Sequence, residues 1–209
     1  MVRDRFGSGL GLVVLFVVVA LPTTGCVQTA LLPSRHLAEG ETVVAASLDE
    51  PGFLYVPRLN LQVTQGLGGG DLSANVGGTV QTVGGGLAGR YYLTDALTAE
   101  GQVQGVRVFD NSWTAAALLG IQQTTDPSDH LYVGGHVGGM RGTEILADAD
   151  ESPRTLPLVG GSIGVGHIDL GGAWRMQIEL EASVSVPSSE EEGLVPPAHL
   201  SIGVFRRWE

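Results

Sequence analysis

The chain contains no lysine: all eleven of its basic residues are arginine, set against 22 aspartates and glutamates, for a formal net charge of -11. Nucleic-acid binding needs a basic face for phosphates, and this balance excludes it. A single cysteine, Cys26, rules out an internal disulfide and a thiolate metal cluster. Beyond Cys26 no apolar run is long enough for a helix to cross roughly 30 Å of hydrocarbon. What the chain has in quantity is glycine, 32 residues, which weakens helices but suits curved, closely spaced strands. Its acids gather in runs such as Asp148–Glu151 ("DADE") and Ser188–Gly193 ("SSEEEG"), which read as solvated loops.

Cys26 closes the stretch "LPTTGC". Arg3 and Arg5 precede it, followed by an apolar run from Leu10 to Leu21, about a dozen residues and too short to span a bilayer. That order is the order of a signal peptide. Leu-Pro-x-Thr-Gly resembles a cell-wall sorting signal, but such a signal sits near a C-terminus, ahead of an apolar segment. Thr24-Gly25-Cys26 resembles the bacterial lipobox, although Pro22 and Thr23 stand where that pattern prefers leucine and a small residue. The resemblance implies a lipoprotein-type signal peptide over 1–25 and acylation of Cys26, with ordinary signal cleavage nearby as the alternative. Residues 26–41 are then a lipidated segment or linker, and 42–209 form one domain.

In that domain the apolar residues alternate. In "WRMQIELEASVS", Trp174, Met176, Ile178, Leu180, Ala182 and Val184 share one face, and Arg175, Gln177, Glu179, Glu181, Ser183 and Ser185 the other. Leu59, Leu61 and Val63 oppose Arg58, Asn60, Gln62 and Thr64 in the same way, and Thr98, Glu100, Gln102 and Gln104 line a third polar face. Strands are expected at 42–49, 57–66, 71–79, 84–93, 97–108, 112–122, 130–141, 156–168, 173–185 and 198–208, separated by turn chemistry such as "LTDA" and "DLGGA". Short connections at 94–96, 124–129 and 169–172 interleave with acidic ones at 142–155 and 186–197, while the short one near 109–111 breaks the rule. Strands of this length, apolar outside and polar inside, predict a single antiparallel transmembrane β-barrel of about ten strands, with eight the alternative. Tyr91, Tyr92, Tyr132, Trp174 and Trp208 would form one interfacial girdle, and Tyr55, Phe109 and Trp113 the other.

Two stretches carry a family resemblance. "GGGLAGRYYLTDALTAEGQVQG" (Gly84 to Gly105) resembles a hairpin of small bacterial outer-membrane β-barrel proteins. "HLSIGVFRRW" resembles the terminal strand that barrel-assembly machinery reads, although Arg206 interrupts its apolar face and Glu209 follows the aromatic residue. The resemblance implies an outer-membrane location with both termini periplasmic, and outer-membrane lipid and the assembly machinery as partners. It further implies a non-catalytic role, either structural or at the surface, or as a small porin-like pore. Oligomeric state stays open, as does pore versus plug.

Candidate chemistry is sparse, and no cofactor is expected. Gly84–Gly89 ("GGGLAG") enters a strand, whereas a phosphate cradle needs a following helix N-terminus. Asp148 begins like a calcium loop, but Pro153 takes the glycine position and Val159 the bidentate glutamate position, so no metal site is expected. His199 and Ser201, two apart on one strand, would face inward beside Glu181, Ser183 and Ser185, a set that could form nucleophile, base and orienter. This resembles the His-x-Ser of outer-membrane lipid A deacylases, whose pair faces lipid. The expected reading is polar filling with no catalytic residue; a lipid-modifying hydrolase and a lipid-anchored soluble β ligand-binding protein are the rivals. Arg58, Arg175, Glu100, Glu179 and Glu181 would pair across the lumen.

Overall fold

A sheet with one oily face and many strands leaves two unpaired edges unless it closes on itself. This one closes. The computed structural model describes residues 35–51, 57–108, 113–125, 131–142, 154–185 and 198–208. Ten strands follow in order: β1 (Thr42–Pro51), β2 (Arg58–Gly66), β3 (Gly70–Gly78), β4 (Thr82–Tyr92), β5 (Leu97–Val108), β6 (Trp113–Thr124), β7 (Leu131–Gly142), β8 (Arg154–Gly171), β9 (Trp174–Ser185) and β10 (Ala198–Trp208). Each pairs antiparallel with its chain neighbours, and β10 returns to β1 in a register running from Thr42↔Trp208 to Pro51↔His199. Ten strands, not eight, make the barrel. The main departure in length is β8, which runs on to Gly171 through irregularities between Val165 and Ile168 and between Asp169 and Gly171.

An even strand number brings both ends of the barrel chain to one rim, here called the terminal end. There β2 ends and β3 begins, as do β4 and β5, β6 and β7, and β8 and β9; the other strand ends form the opposite, loop end. Tight turns have local causes. Gly171 and Gly172 take φ of 100° and 60° between β8 and β9, conformations that cost other residues, and the Asp169 carboxylate accepts the Gly171 amide at 2.7 Å. After β4 the Thr94 hydroxyl accepts the amides of Ala96 and Leu97.

The period of two separates the faces as expected. Arg58, Asn60, Gln62 and Thr64 are buried in the lumen, while Leu59, Leu61 and Val63 point out. Outward leucines, valines and isoleucines continue around the wall through Leu87, Val103, Leu119, Val137, Ile163 and Ile202. A soluble monomer rarely exposes so extensive an apolar surface. Tyr91 and Trp174 face outward at the terminal end and Trp113 at the loop end. The expected girdle is corrected at two positions: Tyr132 points into the lumen, 1% exposed, and Tyr92 also turns inward, because each finds hydrogen-bond partners there. Tyr55, Phe109 and the Trp208 side chain lie outside the described residues.

The belt makes a prediction that a water-facing sheet would not. Leu119, 68% exposed near the middle of β6, should tolerate arginine in water but not in hydrocarbon. Leu119→Arg should lower unfolding free energy in phospholipid vesicles by about 2–4 kcal/mol, read from denaturant titration of the folded fraction.

Candidate functional site

The lumen is where this chain concentrates polar chemistry. Its side chains meet by leaning across strands that carry glycine at the right level. Tyr132 on β7 and Glu179 on β9 flank Gly164 of β8 in register, and a Cβ at Gly164 would lie 2.2 Å from the Tyr132 ring. With that space free, the Tyr132 hydroxyl donates to Glu179 and accepts from Gln177 Nε2 at 2.7 Å. One turn of register away, His136 and Ser183 meet over Gly160, where a Cβ would lie 2.2 Å from His136 Nε2. Large polar groups beside inward glycines fill the taper of a narrow barrel.

A histidine, a serine and a carboxylate do come together here, but they are His136, Ser183 and Glu181. His136 Nε2 lies 2.9 Å from Ser183 Oγ and 3.4 Å from Glu181 Oε1, and Ser183 Oγ donates to Glu181 Oε1 at 3.2 Å. In a nucleophile–base–orienter relay the acid holds one ring nitrogen so that the other can take the serine proton. Here hydroxyl and carboxylate meet the same nitrogen, so the group is a closed polar cluster. Ser201 lies buried on β10, in register with Glu179 and Asp49. His199 is in register with Glu181 and Pro51; its side chain, those of Ser185 and His167, and residue His130 lie outside the described residues. Among the described residues no group of three or more His, Cys, Asp or Glu could hold a metal ion.

Cross-lumen pairing takes a different form from the expected one. Arg175 stays at the terminal rim, bonded to Asp169 at 3.0 Å and to the carbonyls of Gly172 and Trp174, because it sits beside the β8–β9 turn. Arg58 lies in register with Asp49, whose carboxylate also accepts from Asn60 and Ser47. The strongest pair, Asp71 with Arg90, joins neighbouring strands β3 and β4: Arg90 Nε reaches the two carboxylate oxygens at 3.0 and 3.1 Å, and Nη2 bonds the same group. Both side chains are essentially excluded from water. Breaking such a pair costs about 3–5 kcal/mol, because the charge left behind is buried. Sequence reading passed over it, although both residues fall on the inward parity of their strands.

That pair anchors a structure that sequence reading treated as linker. Residues 35–41 enter the terminal mouth of the barrel. Leu37 is buried against Val43, Ala45 and Phe205, a contact worth about 1.5–3 kcal/mol against exposure. Its amide donates to Tyr92 Oη at 2.8 Å, Tyr92 donates to Asp71, and Arg90 Nη2 donates to the Arg35 carbonyl at 3.3 Å. His36 stacks on Tyr92 with ring centroids 3.8 Å apart and reaches Thr98 Oγ1 at 3.1 Å. Glu41 locks the loop, accepting from Arg35 Nη2 at 2.7 and 3.0 Å and from the Ala38 amide at 3.0 Å. Cys26, the expected lipidation site, lies outside the described residues.

The seating of residues 35–41 is expected to depend on pH through the His36 ring. Burial first, then the adjacent Arg90 charge, hold its imidazole below the ordinary 6.5, against upward pulls from Asp95 and Asp71. A seated imidazole with a lowered pKa favours the neutral form, so seating is at full strength above pH 6.5. Seating weakens as pH falls below that value and levels off below the seated pKa. A nitroxide on Ala38→Cys, in a Cys26→Ser background, should show a growing mobile fraction as pH falls from 7.5 to 5.5. His36→Phe, which keeps the stacking surface without the titration, should flatten that response.

No family model and no curated protein sequence matches the chain. Among solved structures it is similar to Neisserial surface protein A, with 13% identity over 80% of this chain and 95% of that one, at a TM-score of 0.43. It is likewise similar to the NanC porin, with 8% identity over 79% and 98% and a TM-score of 0.48. For the KdgM porin the values are 10%, 80%, 99% and 0.43. At these values the barrel architecture still stands on the strand pairing described above, and activity has to be argued from this chain's own residues.

Proposed function

We propose that this protein is a non-catalytic, closed β-barrel of the bacterial outer membrane with a structural or surface role in the envelope. The observation that carries the reading is the dry interior within an oily belt. Tyr132, Gln177, Thr64, Asp49 and Ser73 all point inward, and each is less than 2% exposed. In an open channel those polar groups would face water. Ten strands about 4.8 Å apart, tilted near 40°, give a barrel radius of about 10 Å, which inward side chains can fill. The stopper adds a second closure at the terminal mouth. A small porin-like pore is therefore the weaker alternative, and the shared nitrogen of the His136 cluster gives hydrolysis no support.

In this reading the terminal end is periplasmic, and the acidic connections 143–153 and 186–197 face outside. The outward belt supports a membrane location over a soluble ligand binder. Barrel-assembly machinery is the expected partner in insertion. Acylation of Cys26 would tether the stopper to the inner leaflet: eight residues lie between Cys26 and Arg35, nine Cα steps with a reach of about 30 Å when extended.

Two measurements test this. Refolded full-length protein in planar bilayers at neutral pH should give no stable conductance steps; reproducible unitary currents would sink the closed-barrel reading. Mass spectrometry of the mature N-terminus should find diacylglyceryl-modified Cys26 at the first position, and an unmodified terminus elsewhere would remove the tether.

A further inference from the structure

The outer wall is not uniformly ridged with large side chains. On the loop-end half, Gly85, Gly105, Ala115, Ala117 and Gly139 face outward on four consecutive strands, β4 to β7, and form the floor of a groove of about 740 Å³. Registers Gly85↔Gly105, Gly105↔Ala115 and Ala117↔Gly139 place them side by side. Leu87 and Val103 wall the groove on the side toward the belt's centre, and Arg141 stands at its rim toward the loops.

Nothing inside the barrel requires two of these glycines. A Cβ at Gly105 would meet nothing nearer than the Thr114 carbonyl at 3.9 Å, and one at Gly139 nothing nearer than the Leu156 carbonyl at 3.5 Å, both ordinary contacts. Neither has a positive φ. The space they leave opens outward.

Charge says what fits there. Among the described side chains that face outward from the strands, the charged ones are Arg107, Arg141 and Arg206, all cationic, in a chain whose net charge is -11. Arg107 and Arg141 both flank the groove at the loop end. They stand on either side of β6, two strands across and two residues along it, about 12 Å apart; Arg107 is in register with outward Trp113 and Arg141 with Ala115. An outward tryptophan at a strand end marks headgroup depth. Two guanidinium cations thus border the loop end of an apolar trough that runs toward the belt's centre. A second copy of this chain would fit poorly, since its described outward strand face offers no carboxylate for the arginines.

We propose that this groove binds one outer-leaflet lipid with a phosphate-bearing headgroup, phosphates on Arg107 and Arg141 and an acyl chain along Gly105 and Gly139. The proposal rests on the membrane reading above. Full-length protein folded in phosphatidylcholine-supplemented detergent would be mixed with bisphosphorylated lipid A, and bound lipid counted by native mass spectrometry. Wild type should retain one lipid A in preference to phosphatidylcholine. R107Q/R141Q should lower retention at least tenfold, and so should G105L/G139L, which fills the trough while leaving both arginines. R206Q, at the other end of the barrel, should retain lipid A as wild type does. Equal retention of both lipids, wild-type retention by either double variant, an equal loss in R206Q, or a lipid-free dimer would overturn the proposal. Heat-modifiable gel mobility in vesicles, measured on every variant, reports folding and membrane insertion separately, so loss of the groove is distinguished from loss of the barrel.

Discussion

Everything in this molecule depends on the seam between β1 and β10. In hydrocarbon an unpaired backbone amide or carbonyl has no water to turn to and costs several kcal/mol, so ten strands are stable there only as a closed ladder. The ten-residue register from Thr42↔Trp208 to Pro51↔His199 provides that closure. Once the ladder is closed, the period of two leaves no freedom about which residues face outward and which face the lumen.

Closure also creates the interior problem. A narrow lumen has little room for water, so each inward polar group needs a partner from the wall. At two levels the chain provides one by pairing large groups over small ones, Tyr132 over Gly164 to reach Glu179 and His136 over Gly160 to reach Ser183, while buried atoms such as Arg58 Nε and Asn75 Oδ1 have no hydrogen-bond partner. Where full charges are buried they come together, as Asp71 with Arg90. The outward glycines obey a different logic, because Gly105 and Gly139 make room for nothing inside the barrel.

Much of the fold was legible because alternation is a local signal. Leu59, Leu61 and Val63 against Arg58, Asn60 and Gln62 report both strand and facing without reference to any other part of the chain. Partners across the lumen were not legible, since which inward residue meets which depends on register between strands far apart in sequence. His199 with Ser201 looked like a cluster because the two are near in sequence, whereas His136 finds Ser183 only through two intervening ladders. Tyr92 and Tyr132 were misassigned to a girdle for a related reason: strand-end aromatics suggest an interface, but inward parity decides. The stopper was hidden because residues 35–41 have no periodicity, and their order comes from Tyr92, Arg90 and Phe205.

Leu37 nestles among Val43, Ala45 and Phe205, residues contributed by the first and last strands of the chain. One of its three walls, Phe205, is in place only where β10 is paired with β1. The segment therefore reads out completion: it has a stable seat only in a barrel whose last strand has found the first in the correct register. A slip of one residue at the seam would turn Phe205 outward and remove the seat. The seat of residues 35–41 is thus a property of the closed circle and of no single strand.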